Sequence, residues 1–371
     1  MSTHSVLFLC DYKSLYAGNF IASLTCLGDE LEKSGSRAVY VFPEAAKDRD
    51  WLRVLSEGRT VELIPGGSSV LSYVRSLIAK YRSDILHAHF GYMQEARLLA
   101  ILDPKLKVVL HRHSDFSAGR KPGLKGALRS ALIRLEDGLI GKRLVNINVG
   151  PGMKSGPRTV CIPNALVSER FEKDPPSREN VRSFLGLKES DRLVLVFGWT
   201  PFVKGVDVAC EAAGSIVGSG HPEWKLAVIC GREMTAEKMP DWIREHTRFS
   251  GSEDWILYLP PTERIGDYLA ACDIMLSSSR SETFSYSVLE ALWFGKKCVI
   301  SDIPGTEWAA AYPCVSVFRS GDPVSCSEAL LSSSASSDPD LPGLRSKISA
   351  DYALEDWTKR VLSVYDTLCG K

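Results

Sequence analysis

From its first residues the chain alternates short apolar runs with longer amphipathic stretches. Positions 6–10, 38–42, 85–88, 108–110, 145–149 and 160–162 are mostly apolar and of strand length, while 20–33 repeats its apolar residues at helical spacing. A polar, proline-bearing stretch at 172–180 reads as a linker. The alternation then restarts, with strands expected over 193–197, 225–230, 255–259, 273–277 and 298–301. Helices are expected between them over 206–216, 265–271 and 285–294, a Ser- and Pro-rich loop over 331–342, and a last helix over 354–368. Strands alternating with helices argue for parallel sheets covered on both faces. The expected fold class is therefore α/β, with two doubly wound Rossmann-like domains facing a cleft. The expected bounds are 1–168 for an N-terminal domain, 169–350 for a C-terminal domain, and 351–371 for a helix that could return to the first. In such sheets ligands bind beyond the carboxyl ends of the strands.

Composition narrows the partners. The 371 residues carry 45 Lys plus Arg against 45 Asp plus Glu, so no global field points to nucleic acid. Ten cysteines are scattered without a CxxC pair or metal-type spacing, and Cys10, Cys230 and Cys298 sit in apolar runs, where a thiol acts as a small hydrophobe. That usage suits a reducing cytoplasm. The first residues lack a signal-peptide pattern, and no apolar run approaches the ~20 residues that span a bilayer.

Candidate chemistry gathers at predicted strand ends. The run from Ser277 to Glu290 leaves a strand through a polar turn and enters a helix, with Ser285 as N-cap and Gly295 past its end. The amides that follow Thr283, Phe284 and Ser285, through Ser287 and Val288, would favour phosphate at the helix start. Glu290 lies among apolar neighbours, and a buried carboxylate needs a polar partner. That partner is a ribose hydroxyl on one reading and a cap or salt bridge inside the core on the other; Glu282 is then a sugar ligand or a solvated acid. Gly198 permits a tight exit from its strand, and Lys204 arrives just before the next helix as a point charge, with Trp199 between them. His87 with His89, and His111 with His113, share strand faces pairwise. Each pair could hold a metal, with Asp115 adding a carboxylate, or aim one ring at a sugar; His87 and His89 are also the kind of strand-end residues that bond neighbouring backbone. The opening loop carries Gly18 and Asn19 in what could equally be an ordinary strand-to-helix turn. Over 119–144, Arg120, Lys121, Lys125, Arg129, Arg134, Lys142 and Arg143 face only Glu136 and Asp137, beside a stripe of Leu124, Leu128, Ala131, Leu132 and Leu135. Such a helix either packs its stripe on the sheet or lies on an anionic membrane.

The run from Glu282 to Glu290 with seven residues between, then Ala291-Leu292-x-x-Gly295-Lys296 and Val299-Ile-Ser-Asp-Ile-Pro-Gly305 through Glu307, resembles the signature of retaining glycosyltransferases of family four, which have the GT-B fold. The resemblance implies that Glu282 binds donor-sugar hydroxyls, Glu290 the ribose and Lys204 the diphosphate. It places His113, or else His111, near the reacting sugar, and Gly18-Asn19 where family members have a Gly-Gly pair. Two departures stand out: Thr283 and Ser285 replace glycines, and Trp199 replaces an arginine for which Arg280 or Arg232 would have to compensate. The implied reaction moves a hexose from a nucleotide-diphosphate sugar to a glycan or lipid-linked acceptor, with no cofactor beyond the donor and no bound metal. Bacterial surface polysaccharide synthesis on the cytoplasmic face of a membrane is the expected setting. The rivals are a metal-dependent hydrolase using the histidine pairs, a nucleotide-sugar epimerase, and a non-catalytic sugar-binding subunit.

Overall fold

The structure is a computed structural model, and it describes residues 3–113, 124–150, 155–156, 158–172 and 177–370. Asp115, Arg120, Lys121 and positions 173–176 of the expected linker lie outside the described residues. The chain forms two compact units, one of residues 1–165 with 354–371, the other of 166–353.

The first unit is a seven-stranded parallel sheet in the order β3-β2-β1-β4-β5-β6-β7. Its strands are β1 (Ser5–Cys10), β2 (Arg37–Pro43), β3 (Thr60–Ile64), β4 (Ile85–His89), β5 (Lys107–Arg112), β6 (Leu144–Asn148) and β7 (Thr159–Cys161). Val6, Phe8 and Cys10 of β1 point into one core, Leu7 and Leu9 into the other, and all are fully buried. A strand covered on both faces must be apolar throughout, which is why β1 shows no alternation. The C-terminal helix Leu354–Leu368 packs on the first of these cores through Trp357, Val361, Val364 and Tyr365, spaced one helical face apart.

The second unit is a six-stranded parallel sheet, β10-β9-β8-β11-β12-β13. Its strands are β8 (Arg192–Phe197), β9 (Trp224–Ile229), β10 (Ile256–Leu259), β11 (Ile274–Ser277), β12 (Lys297–Ser301) and β13 (Val315–Phe318). Both units are thus doubly wound α/β sheets. Strands β3 and β13 were not anticipated, because Thr60–Ile64 and Val315–Phe318 are short, half-exposed edge strands with little apolar contrast.

Two predicted irregular stretches are helical. The expected loop at 331–342 is mostly helix, Pro323–Ala335 and Leu341–Asp351, leaving only 336–340 between them. Asp322 starts the first helix by accepting from the amides of Val324 and Ser325, and Cys326, Leu330 and Ser333 form its buried face, which outweighs serine's weak helix propensity. The end of the expected linker is also helical, Arg178–Phe184, capped by Ser177 accepting from the Asn180 amide.

Candidate active site

In the second unit the chain runs outward from β8 to β9 and β10, then returns to β11 and continues to β13 on the other side. The carboxyl ends of β8 and β11 therefore flank a topological switch point, where an open α/β sheet leaves a crevice. The loops after β8, β11 and β12 meet there and are tied together. Ser278 Oγ donates to the Lys204 carbonyl at 2.9 Å, the Arg280 amide to the Val203 carbonyl at 2.8 Å, and Ser301 Oγ to the Ser279 carbonyl at 2.6 Å. Two glycines allow this closeness. A Cβ on Gly205, whose φ is +66°, would lie 2.0 Å from the Ser278 oxygen, and one on Gly305 would lie 2.2 Å from the Glu282 oxygen.

Within this frame Lys204 and Glu282 come together. Lys204 Nζ donates to Glu282 Oε1 at 2.5 Å, Ser279 Oγ donates to the same oxygen at 2.9 Å, and both charged side chains are only 13% exposed. Lys204 also sits 4.8 Å from the centre of the Trp199 ring, a cation–π contact. The indole is 43% exposed and packs edge-on against Phe197, so it is not buried beneath the loop as a packing residue would be. Of the two cations considered as substitutes for the missing arginine, Arg280 is engaged by both oxygens of Asp207 at 2.8 and 2.6 Å and lies over Phe202. Arg232, just beyond β9, is exposed. Gly198 is crowded rather than left-handed, since a Cβ there would meet Val228 Cγ1 at 2.7 Å.

The helix Tyr286–Trp293 follows at once. Ser285 occupies the N-cap position but makes no capping bond, its hydroxyl instead meeting Ser287 Oγ at 3.1 Å. At the far end the Gly295 amide bonds Leu292 and the Lys296 amide bonds Ala291, a Schellman closure with Gly295 at φ +67°. The buried side chains of Phe284 and Val288 can offer a ligand only their backbone; Phe284 stacks on Trp308 at 5.0 Å. Thr283 and Ser287 are half-buried on the same turn. Glu290 is buried, and its partner is Arg170, whose Nη1 donates to Oε1 at 3.0 Å. Burial pushes the Glu290 carboxyl up and the Arg170 guanidinium pulls it back. Oε2 has no further hydrogen bond among the described residues. Sequence reasoning missed Arg170, which lies 120 positions away with no local pattern linking the two.

The switch point of the first unit lies between β1 and β4. Phe90, directly after β4, has φ +61°, a costly conformation for an aromatic residue. It stacks on His113 at 4.4 Å and meets Phe20 edge-on at 4.7 Å, with Tyr12 beside it. Nothing in the local sequence announces that conformation. His113 Nε2 meets His89 Nδ1 at 2.9 Å, and burial holds the half-buried His113 down to about 3.

Behind it, His87 Nε2 meets His111 Nδ1 at 3.2 Å, and His87 Nδ1 meets the Tyr365 hydroxyl at 2.6 Å. Ring-to-ring and hydroxyl contacts therefore replace the backbone bonds expected for His87 and His89. Burial lowers His87, His89 and His111 well below the usual histidine range. His111 is fully buried inside this stack, which removes it as an alternative to His113. His87, His89 and His111 each bring a nitrogen within 4.8 Å of the others. Yet His87 and His89 are stacked at 4.2 Å, and His87 and His111 lie 6° from parallel. A ring nitrogen binds a metal in the plane of its ring, so His87 and His89 would have to tilt apart to share an ion. Asn19 is also absorbed by the fold: buried, it donates to the Ala165 carbonyl at 3.2 Å, beside Gly18 at φ +56°.

The fold and the site define an open α/β architecture with a cation and a carboxylate at the switch point of its second sheet. Residues 177–310 match the family model of glycosyl transferases group 1. The D-inositol 3-phosphate glycosyltransferase of Corynebacterium urealyticum is 24% identical over 322 residues, 81% of this chain and 74% of that protein. The lipopolysaccharide core biosynthesis mannosyltransferase LpsB of Rhizobium meliloti is 26% identical over 148 residues, 40% of this chain and 41% of that one. Anabaena Alr3699/HepE, solved in complex with UDP and glucose, superposes with a TM-score of 0.73 at 14% identity, covering 98% of this chain and 99% of that one. The chain is a transferase of the glycosyltransferase kind, with the GT-B architecture of two parallel sheets. Among the described residues no helix is long and apolar enough to cross a membrane.

Proposed function

We propose that the chain transfers a hexose, with retention of configuration, from a nucleotide-diphosphate sugar to a glycan or lipid-linked acceptor in bacterial surface polysaccharide synthesis. The observation that carries this reading is the Lys204–Glu282 pair at the β8/β11 switch point, a cation and a carboxylate held ready at one place. Lys204 neutralises charge building on the leaving diphosphate, an electrostatic role that needs no proton transfer and no metal. Glu282 turns to accept from hydroxyls of the donor sugar, and Glu290 offers Oε2 to the ribose while Arg170 holds Oε1. The helix start at Tyr286 supplies amides to phosphate, with Thr283, Phe284, Ser285 and Ser287 shaping that turn and Gly198 the loop opposite. His113 is the first unit's candidate for contact with the reacting sugar, and the donor is the sole co-substrate.

The relatives favour a polyhydroxylated acceptor, since one is named as a glycosyltransferase of inositol 3-phosphate and another as a mannosyltransferase of the lipopolysaccharide core. The enzyme works in the cytoplasm against the inner face of the membrane. The test is a panel of nucleotide sugars offered with and without lipid-linked and free glycan acceptors, followed by nucleoside diphosphate release and by NMR of the product anomer. Acceptor-dependent release with a retained anomer is expected. Inversion, sugar epimerisation without transfer, or the absence of any bound donor would each overturn the reading.

A further inference from the structure

The helix Leu124–Ile140 is turned inside out for a protein surface in water. Its acids face inward: Glu136, buried, accepts from Gln94 Nε2 at 2.7 Å, and Asp137 accepts from the buried Arg97 at 2.8 Å. Ile140 is buried beside them. The leucines face outward. Leu128, Leu132, Leu135 and Leu139, spaced 4, 3 and 4 residues apart on one helical stripe, are 52% to 65% exposed. This overturns the expectation that the stripe packs on the sheet. Two ion-pair and amide contacts with the helix Met93–Leu102 lock the rotation, so the leucines cannot roll inward without stranding Arg97. That neighbouring helix adds exposed Leu98 and Leu102.

The charge around the stripe selects what covers it. Arg134 and Lys142 are exposed, while of the two acids of the stretch Asp137 is paired with Arg97 and Glu136 is buried against Gln94. An exposed leucine stripe with cations beside it and its own acids turned inward fits a surface that is apolar within and negative at its edge. A second copy would set cations against cations. We propose that this leucine stripe docks the enzyme on an anionic lipid bilayer, with the leucines entering the acyl boundary and the cations meeting the headgroups. The proposal deepens the reading of a lipid-linked acceptor and rests on that reading for its purpose, but the docking itself needs neither donor nor acceptor.

The test is co-sedimentation of the full chain with vesicles of phosphatidylcholine alone or with about one-third phosphatidylglycerol. Binding is expected only to the anionic vesicles, weakened but not abolished by ~0.5 M salt. Leu132→Ser with Leu135→Ser should lower partitioning about thirty-fold, from the loss of two half-inserted leucines. Arg134→Gln with Lys142→Gln should lower it by a similar factor at low salt. A leucine variant that binds like the parent, or a parent that ignores anionic vesicles, would overturn the proposal. So would a parent dimer that the leucine variant dissolves in sedimentation velocity. Turnover of donor in free solution is read alongside and should be unchanged in the leucine variant. A chain that binds vesicles yet turns over no donor retains the docking surface and loses the proposed function.

Discussion

Replacing Glu282 by Gln sets binding and turnover in opposition, which no purely structural role for the pair would do. Lys204 now spends its charge on Glu282 Oε1 at 2.5 Å, with both side chains largely shielded from water. A diphosphate that takes up Lys204 must displace that carboxylate and then sit beside it. Two unit charges ~4 Å apart at an effective dielectric near 20 interact by about 4 kcal/mol. Doubling the distance and allowing for screening by Lys204 leaves about 1.4 kcal/mol of repulsion between Glu282 and the bound anion. Gln removes it, so nucleoside diphosphate should bind about tenfold more tightly. Turnover should fall, because a neutral amide gives up the charged acceptor for sugar hydroxyls. Hydrogen bonds to charged groups are worth about 1.5–3 kcal/mol each, so losing one lowers kcat by about 10- to 150-fold.

Calorimetric titration with nucleoside diphosphate gives the first quantity and donor turnover the second. Lys204→Ala is the counterpart. It should weaken diphosphate binding by about 10- to 150-fold, from the loss of one charge-assisted contact. If Glu282→Gln weakens diphosphate binding as Lys204→Ala does, the pair is a structural tie and its assignment to the donor fails. If Glu282→Gln leaves turnover at the parent level, the sugar role of Glu282 fails by itself.

Trp199→Ala removes the ring on which the Lys204 ammonium rests, and should weaken diphosphate binding by about 2- to 30-fold, the range of a cation–π contact; unchanged binding would mean that the indole does not position the lysine. The histidine stack should make stability fall with acid. His87, His89 and His111 are held low by burial and His113 sits at about 3, so the unfolded chain, with ordinary values near 6.5, binds more protons. Their contribution is complete above pH ~6.5 and is lost as pH falls toward 3, at up to about 1.4 kcal/mol per pH unit for each histidine; urea unfolding at several pH values would show a flat profile if the rings are charged in the fold. Glu290 works in the other direction, since its raised folded value means that stability declines as pH rises from the ordinary carboxylate range to the folded one. Glu290→Gln should abolish that decline while keeping an acceptor for Arg170, and should still weaken donor binding; thermal unfolding from pH 4 to 7 with donor titration separates the two effects.

The fold class was legible because fully buried parallel strands must be continuous apolar runs, and β1, β8 and β12 are such runs. What stayed hidden depends on groups distant in the chain. The burial of Glu290 followed from its apolar neighbours, but Arg170 could not be paired with it from the sequence. Lys204 and Glu282 were each visible as strand-end charges, yet their contact requires Gly205 to press on Ser278 and Gly305 to press on Glu282. For the leucine stripe, periodicity identified the helix and could not say which face turns inward. That was settled by Arg97 and Gln94 on another helix, which draw the acids in.

The two switch points differ in how their groups are spent. In the second unit, backbone and hydroxyl bonds among three loops fix the frame, while Lys204 and Glu282 are bound chiefly to each other, through a contact that an anion with hydroxyls can replace on both sides. In the first, the ring nitrogens are bound to other rings and to Tyr365, and His89 Nε2 and His111 Nε2 have no partner at all among the described residues. A ligand can exchange with the first kind of contact at little net loss, because each displaced group regains a partner of the right charge. It cannot enter the second without opening a stack of four rings. The exchangeable contacts thus lie in the second unit, and of the four histidines only His113, at the outer edge of the stack, is not fully buried.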